Sequence, residues 1–365
     1  MEASALTHTD ELVAELEAQR KRTLRLIAHL PDSDLERVID PIMSPLVWDL
    51  GHSAAYEDLW LNHRFAGEPL LHPELAAFYD AFETPRQVRG EIEILNRADA
   101  VGYLAEVRER VLDAAARLGT DPTLHELVLR HEMQHTETMR QCMALGGLLP
   151  KGEPRLRGLG PAHPDDELVT IAGGTFALGA TDEGFAYDNE RPRHAVDVPT
   201  FRIARRPVTN GSWRHFTEGG GYVRREWWSD EGWAWKEEYD IGRDTSWTTG
   251  TEDQPVVHVS WFEADAFARS REARLPTEAE WEKASTSGQL DATGLVWEWT
   301  SSHFTGYPGF VAHPYREYSE VFFGGEYRVL RGGSWATHPR VASTTFRNWD
   351  LPQRKQIFAG VRLAA

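Results

Sequence analysis

Apolar positions in residues 1–150 recur at helical spacing. Leu12, Val13, Leu16, Leu24, Ile27 and Leu30 form the first such series, which stops at Pro31-Asp32. A second pattern runs from about 46 to 61, a third over 101–118 and a fourth over 124–145. Pro122 opens the fourth, with Asp121 and Thr123 as candidate caps, and Gly146-Gly147 ends it. Four helices with connections of mixed length predict a bundle.

The texture then changes. Residues 151–166 are rich in Pro and Gly and read as a linker. Over 167–365, short β-branched and aromatic runs at 168–171, 175–178, 256–259 and 327–330 alternate with Gly-rich turns. Helices are predicted there only at 261–271 and near 277–284. The expectation is an α+β multidomain chain: helical domain 1–150, linker 151–166, and a loop-rich α+β domain 167–365.

Composition narrows the function. The chain has 365 residues, 41% of them hydrophobic, with 14 Trp, enough apolar surface for two cores. A net charge of -18 sets up a field that repels nucleic acid and anionic membranes. No stretch approaches the roughly 18 uninterrupted apolar residues of a membrane span. Residues 1–10 carry acids and no apolar core, which argues against a secretory signal. Cys142 is the single cysteine, so an intramolecular disulfide and a thiolate-rich metal site are both excluded. A cytoplasmic monomer with small-molecule substrates, and no nucleic-acid or membrane partner, is the expectation.

The candidate chemistry lies in the fourth helix. In His131-Glu132-Met133-Gln134-His135 the two His stand one turn apart and can reach one ion. One reading of HExxH is a zinc-dependent hydrolase with Glu132 as general base. The extended form with Gly and a third His is absent, since Thr138 and Gln141 occupy those positions. His52, on the otherwise apolar second helix, is a third candidate ligand that a bundle could bring opposite the pair. Three neutral imidazoles with open positions suit Fe(II), although zinc or copper would also be accepted.

Several motifs together resemble one family. The segments SPLVWDLGH and HEMQH, with ARLPTEAEWEKA, VWEWTSS, YRVLRGGSWA and FRNWDLPQRKQIFAGVRLA downstream, are similar to those of the ergothioneine-biosynthesis sulfoxide synthases (the EgtB family of hercynine oxygenases). The likeness covers nearly the whole chain. It implies a DinB-like four-helix bundle followed by a formylglycine-generating-enzyme-like domain (sulfatase-modifying-factor, C-type-lectin-like). It also implies a non-haem iron oxidoreductase that uses O2 as co-substrate to form a C–S bond between hercynine (trimethylhistidine) and γ-glutamylcysteine. The RLPTEAEWE and RGGSW runs also occur in formylglycine-generating enzymes, but that chemistry needs an active-site cysteine pair, and this chain has one cysteine, in its helical half.

Carried over residue by residue, the resemblance implies His52, His131 and His135 as Fe(II) ligands and Tyr315 as proton donor. Gln134, Tyr318, Asn348 and Trp349 would hold hercynine, the indole face meeting its trimethylammonium. Arg86, Arg89, Asp350 and Arg354 would hold the thiol donor through its carboxylates and ammonium. The same chemistry with cysteine or a selenium donor is the nearest alternative, and a betaine- or thiol-binding protein without turnover the furthest. One departure stands out. Only residues 285–295 separate the WEKA and VWEW motifs, where the family carries a much longer segment, so a calcium site there is in doubt.

Overall fold

Two helices of the first half start and stop on local chemistry. In the computed structural model, which describes residues 2–152, 156–160, 167–242 and 250–365, with side chains described from residue 11 onward, Asn96 caps α5 (Arg97–Leu118) by accepting the Asp99 N–H. Asp121 caps α6 (Pro122–Gly146) by accepting from Thr123 and Leu124, Pro122 sits at the first position, and Gly147 closes it with φ 68°. These are the expected N-cap, Pro-first and left-handed C-terminal devices. With α1 (Glu2–Ile27) and α3 (Leu46–Glu57), they make the four long helices. Short α2 (Asp32–Leu35) and α4 (Pro73–Phe78) lie in the connections. α3 continues directly into a π-helical stretch, Asp58–Phe65, a feature often found near functional sites. α3 packs on α5 and α6, and α1 on α6, burying Leu16, Leu46, Leu50, Val107 and Met143.

The chain divides into two units, Met1–Glu153 and Pro154–Ala365. Of the expected linker, 153–155 and 161–166 lie outside the described residues.

The second unit pairs β1 (Leu168–Ile171) with β4 (Phe201–Ala204) and β2 (Gly174–Leu178) with β3 (His194–Val198), both antiparallel. A further sheet runs β7 (Asn348–Asp350), β6 (Arg328–Arg331), β5 (Trp297–His303), β8 (Ala359–Gly360). Among the described residues four helices accompany the strands: α7 (Asn210–Glu218), α8 (Asp230–Glu238), α9 (Trp261–Ser270) and α10 (Glu278–Thr286). Only α9 and α10 are expected from the pattern. α7 and α8 correct it, each opened by a hydroxyl cap, Thr209 to the Ser212 N–H and Ser229 to the Gly232 N–H. A strand over 256–259 is also corrected. His258 has φ 61°, outside the β region, and among the described residues the run makes only single backbone bonds, Val256 to Val208 and Val259 to Ala359.

The short 285–295 connection is a finished piece of structure. Gly288, at φ 70°, closes α10, Asp291 N–H binds the Arg205 carbonyl, and Leu290 packs against a core of Ile171, Val198, Phe201, Ile203 and Ala284.

Candidate metal centre

α3 and α6 bring three imidazoles to one point. One nitrogen each of His52, His131 and His135 lies within 4.8 Å of the others, and Nε2 of His52 is 3.2 Å from Nε2 of His131. The helical period explains the presentation. His131 and His135 are one turn apart on α6, and Trp48, His52 and Tyr56 succeed one another at the same interval on α3.

The outward nitrogens are held by the protein. Nδ1 of His52 lies 2.7 Å from the Tyr79 carbonyl, and Nδ1 of His135 lies 2.8 Å from Oδ1 of Asp49. Both oxygens only accept, so each Nδ1 carries the proton and each Nε2 turns a lone pair inward. The ring faces are held as well. Trp48 stacks on His52 at 4.7 Å and 15°, and Tyr56 on His131 at 3.6 Å and 8°. Burial, then the neighbouring His135, push the pKa values of His52 and His131 well below the ordinary value. Imidazoles that stay neutral, converge through Nε2 and are oriented from behind are a donor set that fits a divalent transition metal.

Glu132, between the two histidines, faces the other way. It is 3% exposed and receives Arg20 Nε at 3.0 Å and the Thr23 hydroxyl at 2.6 Å. Arg20 and Arg108 both also bind Glu57, and Arg108 comes within 3.6 Å of Glu132. The hydrolase reading needs this carboxylate beside the metal as a base. Here it belongs to an ion-pair quartet inside the bundle, and that reading is corrected.

Arg86 is exposed on a 3-10 turn, Arg86–Val88, whereas Arg89 is 5% exposed. Arg89 donates to the carbonyls of Thr84 and Ala81 and to Oγ of Ser44, and lies 3.5 Å over the Trp48 ring. Burial, then Arg86, bring its pKa down to about 9. Gln134 is half-buried beside His135.

In the second unit, Tyr315, Tyr318 and Trp349 form an aromatic corner. Tyr318 meets Tyr315 edge-on at 6.1 Å and Trp349 at 5.9 Å, while Phe304 stacks on Trp349 at 4.2 Å and 7°. One indole face is therefore covered by Phe304. Asn348, Trp349 and Asp350 are the three residues of β7, and Arg354 lies 3.8 Å from Asp350.

Relatives carry the same two-part organisation. Residues 15–143 match the DinB superfamily, and 158–293 and 285–365 match the sulfatase-modifying factor enzyme 1-like domain. The hercynine oxygenase of Mycolicibacterium thermoresistibile is 41% identical over 441 aligned positions, covering 100% of this chain and 96% of that protein. The hercynine oxygenase of Mycobacterium tuberculosis is 41% identical over 98% of this chain and 99% of its own length. The chain belongs to the hercynine oxygenase family. A formylglycine-generating enzyme of Streptomyces coelicolor, by contrast, is 34% identical over 33% of this chain. The N-terminal DinB-like region and the α+β domain of the second unit are thus both family features. The two sulfatase-modifying-factor matches meet at 285–293, where this hercynine oxygenase family member has its short connection.

Sequence reasoning assigns no role to Asp49, Trp48, Tyr56 or the Tyr79 carbonyl. The spacing of Trp48, His52 and Tyr56 carries a usable signal. The Asp49 contact does not, because its partner is 86 residues downstream.

Proposed function

We propose that this family member is an O2-dependent non-haem iron(II) sulfoxide synthase that joins the sulfur of γ-glutamylcysteine to the imidazole ring of hercynine. The observation that carries the reading is the convergence of His52, His131 and His135, with His135 oriented by Asp49, His52 by the Tyr79 carbonyl and His131 by the Tyr56 ring, in a chain of this family. These three residues would hold Fe(II), which when bound supplies O2 activation. Overall, one C–H and one S–H bond are replaced by a C–S bond, one oxygen atom ends on sulfur and the other leaves as water.

The remaining roles are those the family resemblance implies, and the side-chain chemistry suits each. Tyr315 delivers a proton from its Oη. Gln134, Tyr318 and Asn348 orient hercynine, and the Trp349 face that Phe304 leaves uncovered receives the trimethylammonium. Arg86 and Arg354 pair with donor carboxylates, and Asp350 with the donor ammonium. Arg89, with its donors engaged, contributes fixed positive charge. A donor with two carboxylates uses these groups better than cysteine or a selenium analogue does.

The test is turnover of Fe(II)-loaded protein with hercynine, γ-glutamylcysteine and O2, read by mass spectrometry. The conjugated sulfoxide is the expected product. Its absence at full iron occupancy overturns the reading, and faster conversion with cysteine in direct competition overturns the donor assignment.

A further inference from the structure

The turn Asp188–Glu190 lies about 125 residues from the tyrosine segment in sequence yet meets both of its ends. Oδ2 of Asp188 accepts the His313 N–H at 3.3 Å, and Oδ1 accepts the Ser319 hydroxyl. Tyr315 and Tyr318 sit between those two anchors. We propose that Asp188 is a positioning residue, a clasp across residues 313–319 that fixes where Tyr315 and Tyr318 stand. This rests on the reading of Tyr315 as proton donor and Tyr318 as a hercynine contact.

Three features make the clasp specific. First, the proton direction is determined. Asn189 Nδ2 donates to Ser319 Oγ at 2.9 Å, so the Ser319 proton is turned to Asp188, and a carboxylate can only accept. Second, the Ser319 end of the clasp is dry, with Ser319 at 0%, Asn189 at 1% and Asp188 at 7% exposure, so water does not substitute for a partner lost there, while the His313 end lies at the surface. Third, the same turn reaches the other substrate-facing elements. Tyr187 stacks on Tyr318 at 4.7 Å and 5°, and the Asn189 carbonyl accepts from Arg347 Nη1 at 2.7 Å, next to Asn348. One turn therefore sets the tyrosine segment and the start of β7 in a common register.

Asp188→Asn keeps the shape but puts an amide donor against either the Ser319 hydroxyl or the His313 N–H. Ser319→Ala removes one anchor and serves if the first variant does not fold. In the Fe(II)-loaded full-length protein with hercynine and γ-glutamylcysteine, Asp188→Asn is expected to lower kcat roughly ten- to a hundred-fold, the scale of a misplaced catalytic group. Its fold effect on kcat should shrink in a Tyr315→Phe background, because the share of the loss that runs through Tyr315 is already gone and only the share through Tyr318 remains. Amide exchange over 313–319 should quicken in Asp188→Asn and Ser319→Ala, with α3, α6 and Fe(II) affinity unchanged. An equal fold loss in both backgrounds, or unchanged exchange over 313–319, overturns the clasp. Wild-type turnover by Tyr315→Phe would instead overturn the role of Tyr315, and the exchange result alone then decides the clasp.

Discussion

Oδ1 of Asp49 stands 2.8 Å from Nδ1 of His135, joining α3 to α6 behind the candidate metal centre. The carboxylate selects the tautomer that leaves Nε2 of His135 free and holds the ring in plane. Asp49→Ala should weaken divalent-metal affinity about 10–100-fold, with the helical fold kept. Anaerobic titration with Fe(II), or with Co(II) followed by its visible spectrum, measures this. Wild-type affinity in the variant would show that His135 is oriented without Asp49.

The Glu132 quartet predicts stability rather than chemistry. Arg108→Met leaves Glu57 and Glu132 with one arginine between them, and breaking a buried pair on one side costs about 3–5 kcal/mol. Thermal melting should fall accordingly, while metal binding by the surviving folded protein persists. The pH sign follows from Glu57. Burial raises its pKa, but Arg108 and Arg20 outweigh burial and hold it below the ordinary value. Its contribution is therefore complete above the ordinary glutamate pKa of about 4.3 and is lost as the pH falls through the lower folded value. Acid unfolding followed by circular dichroism should begin at higher pH in Arg108→Met than in the parent.

The C-terminal motifs were legible as a family signature but not as what they do. In RLPTEAEWE, Arg274 pairs with Glu280, Glu278 with Arg347 and Glu282 with Arg331, while Glu298 of VWEW pairs with Arg362. These are internal fastenings of a unit with little regular structure, and the last three join residues 69, 49 and 64 apart, which leaves no periodic trace. Local signals did better. The caps and apolar spacing of α5 and α6 and the i, i+4 histidines could all be read, because each depends on residues within a turn or two. α7 and α8 could not, since their apolar positions are mostly aromatic and mixed with Gly at the ends. His52 was legible only as a candidate, because its convergence with α6 is tertiary.

Arg362 provides a direct test of those fastenings. It is 0% exposed and spends its donors on both Glu298 oxygens and the carbonyls of Ala204, Arg205 and Asp291. Arg362→Met strands Glu298 and should destabilise the second unit by about 3–5 kcal/mol. Arg362→Lys keeps the charge, loses the planar fork and should restore only part of it. Denaturant midpoints of the three proteins give the order, and equal midpoints for Lys and Met would mean that charge contributes nothing.

Cys142 should be chemically silent while the protein is folded. It is 1% exposed, and burial, then Asp49 and Asp40, push its pKa up to about 12. The thiol is therefore protonated at pH 8, and the thiolate is the reactive form. Ellman's reagent should read no thiol in the native state and one per chain after denaturation. Rapid native labelling would mean that α6 opens locally beside the metal centre.

Gly51 ties backbone packing to the orientation of His52. A Cβ placed there would lie 2.4 Å from Cζ of Tyr79, in the middle of the ring edge rather than at the tip of a flexible chain. Tyr79 cannot easily yield. Its hydroxyl accepts the Leu95 N–H at 2.8 Å, and its ring is fully buried against Trp48. Its carbonyl is the acceptor for Nδ1 of His52 at 2.7 Å. Any shift that accommodates a methyl group moves that carbonyl and frees the imidazole to turn. Gly51→Ala should therefore cost about 1–3 kcal/mol of stability from overpacking and weaken divalent-metal binding at the same time. Tyr79→Phe, which keeps the ring and the carbonyl, should lose stability with little change in metal affinity. Parallel melting curves and metal titrations separate the two, and a Gly51→Ala protein that melts lower yet binds metal as the parent does would break the link between Tyr79 and His52.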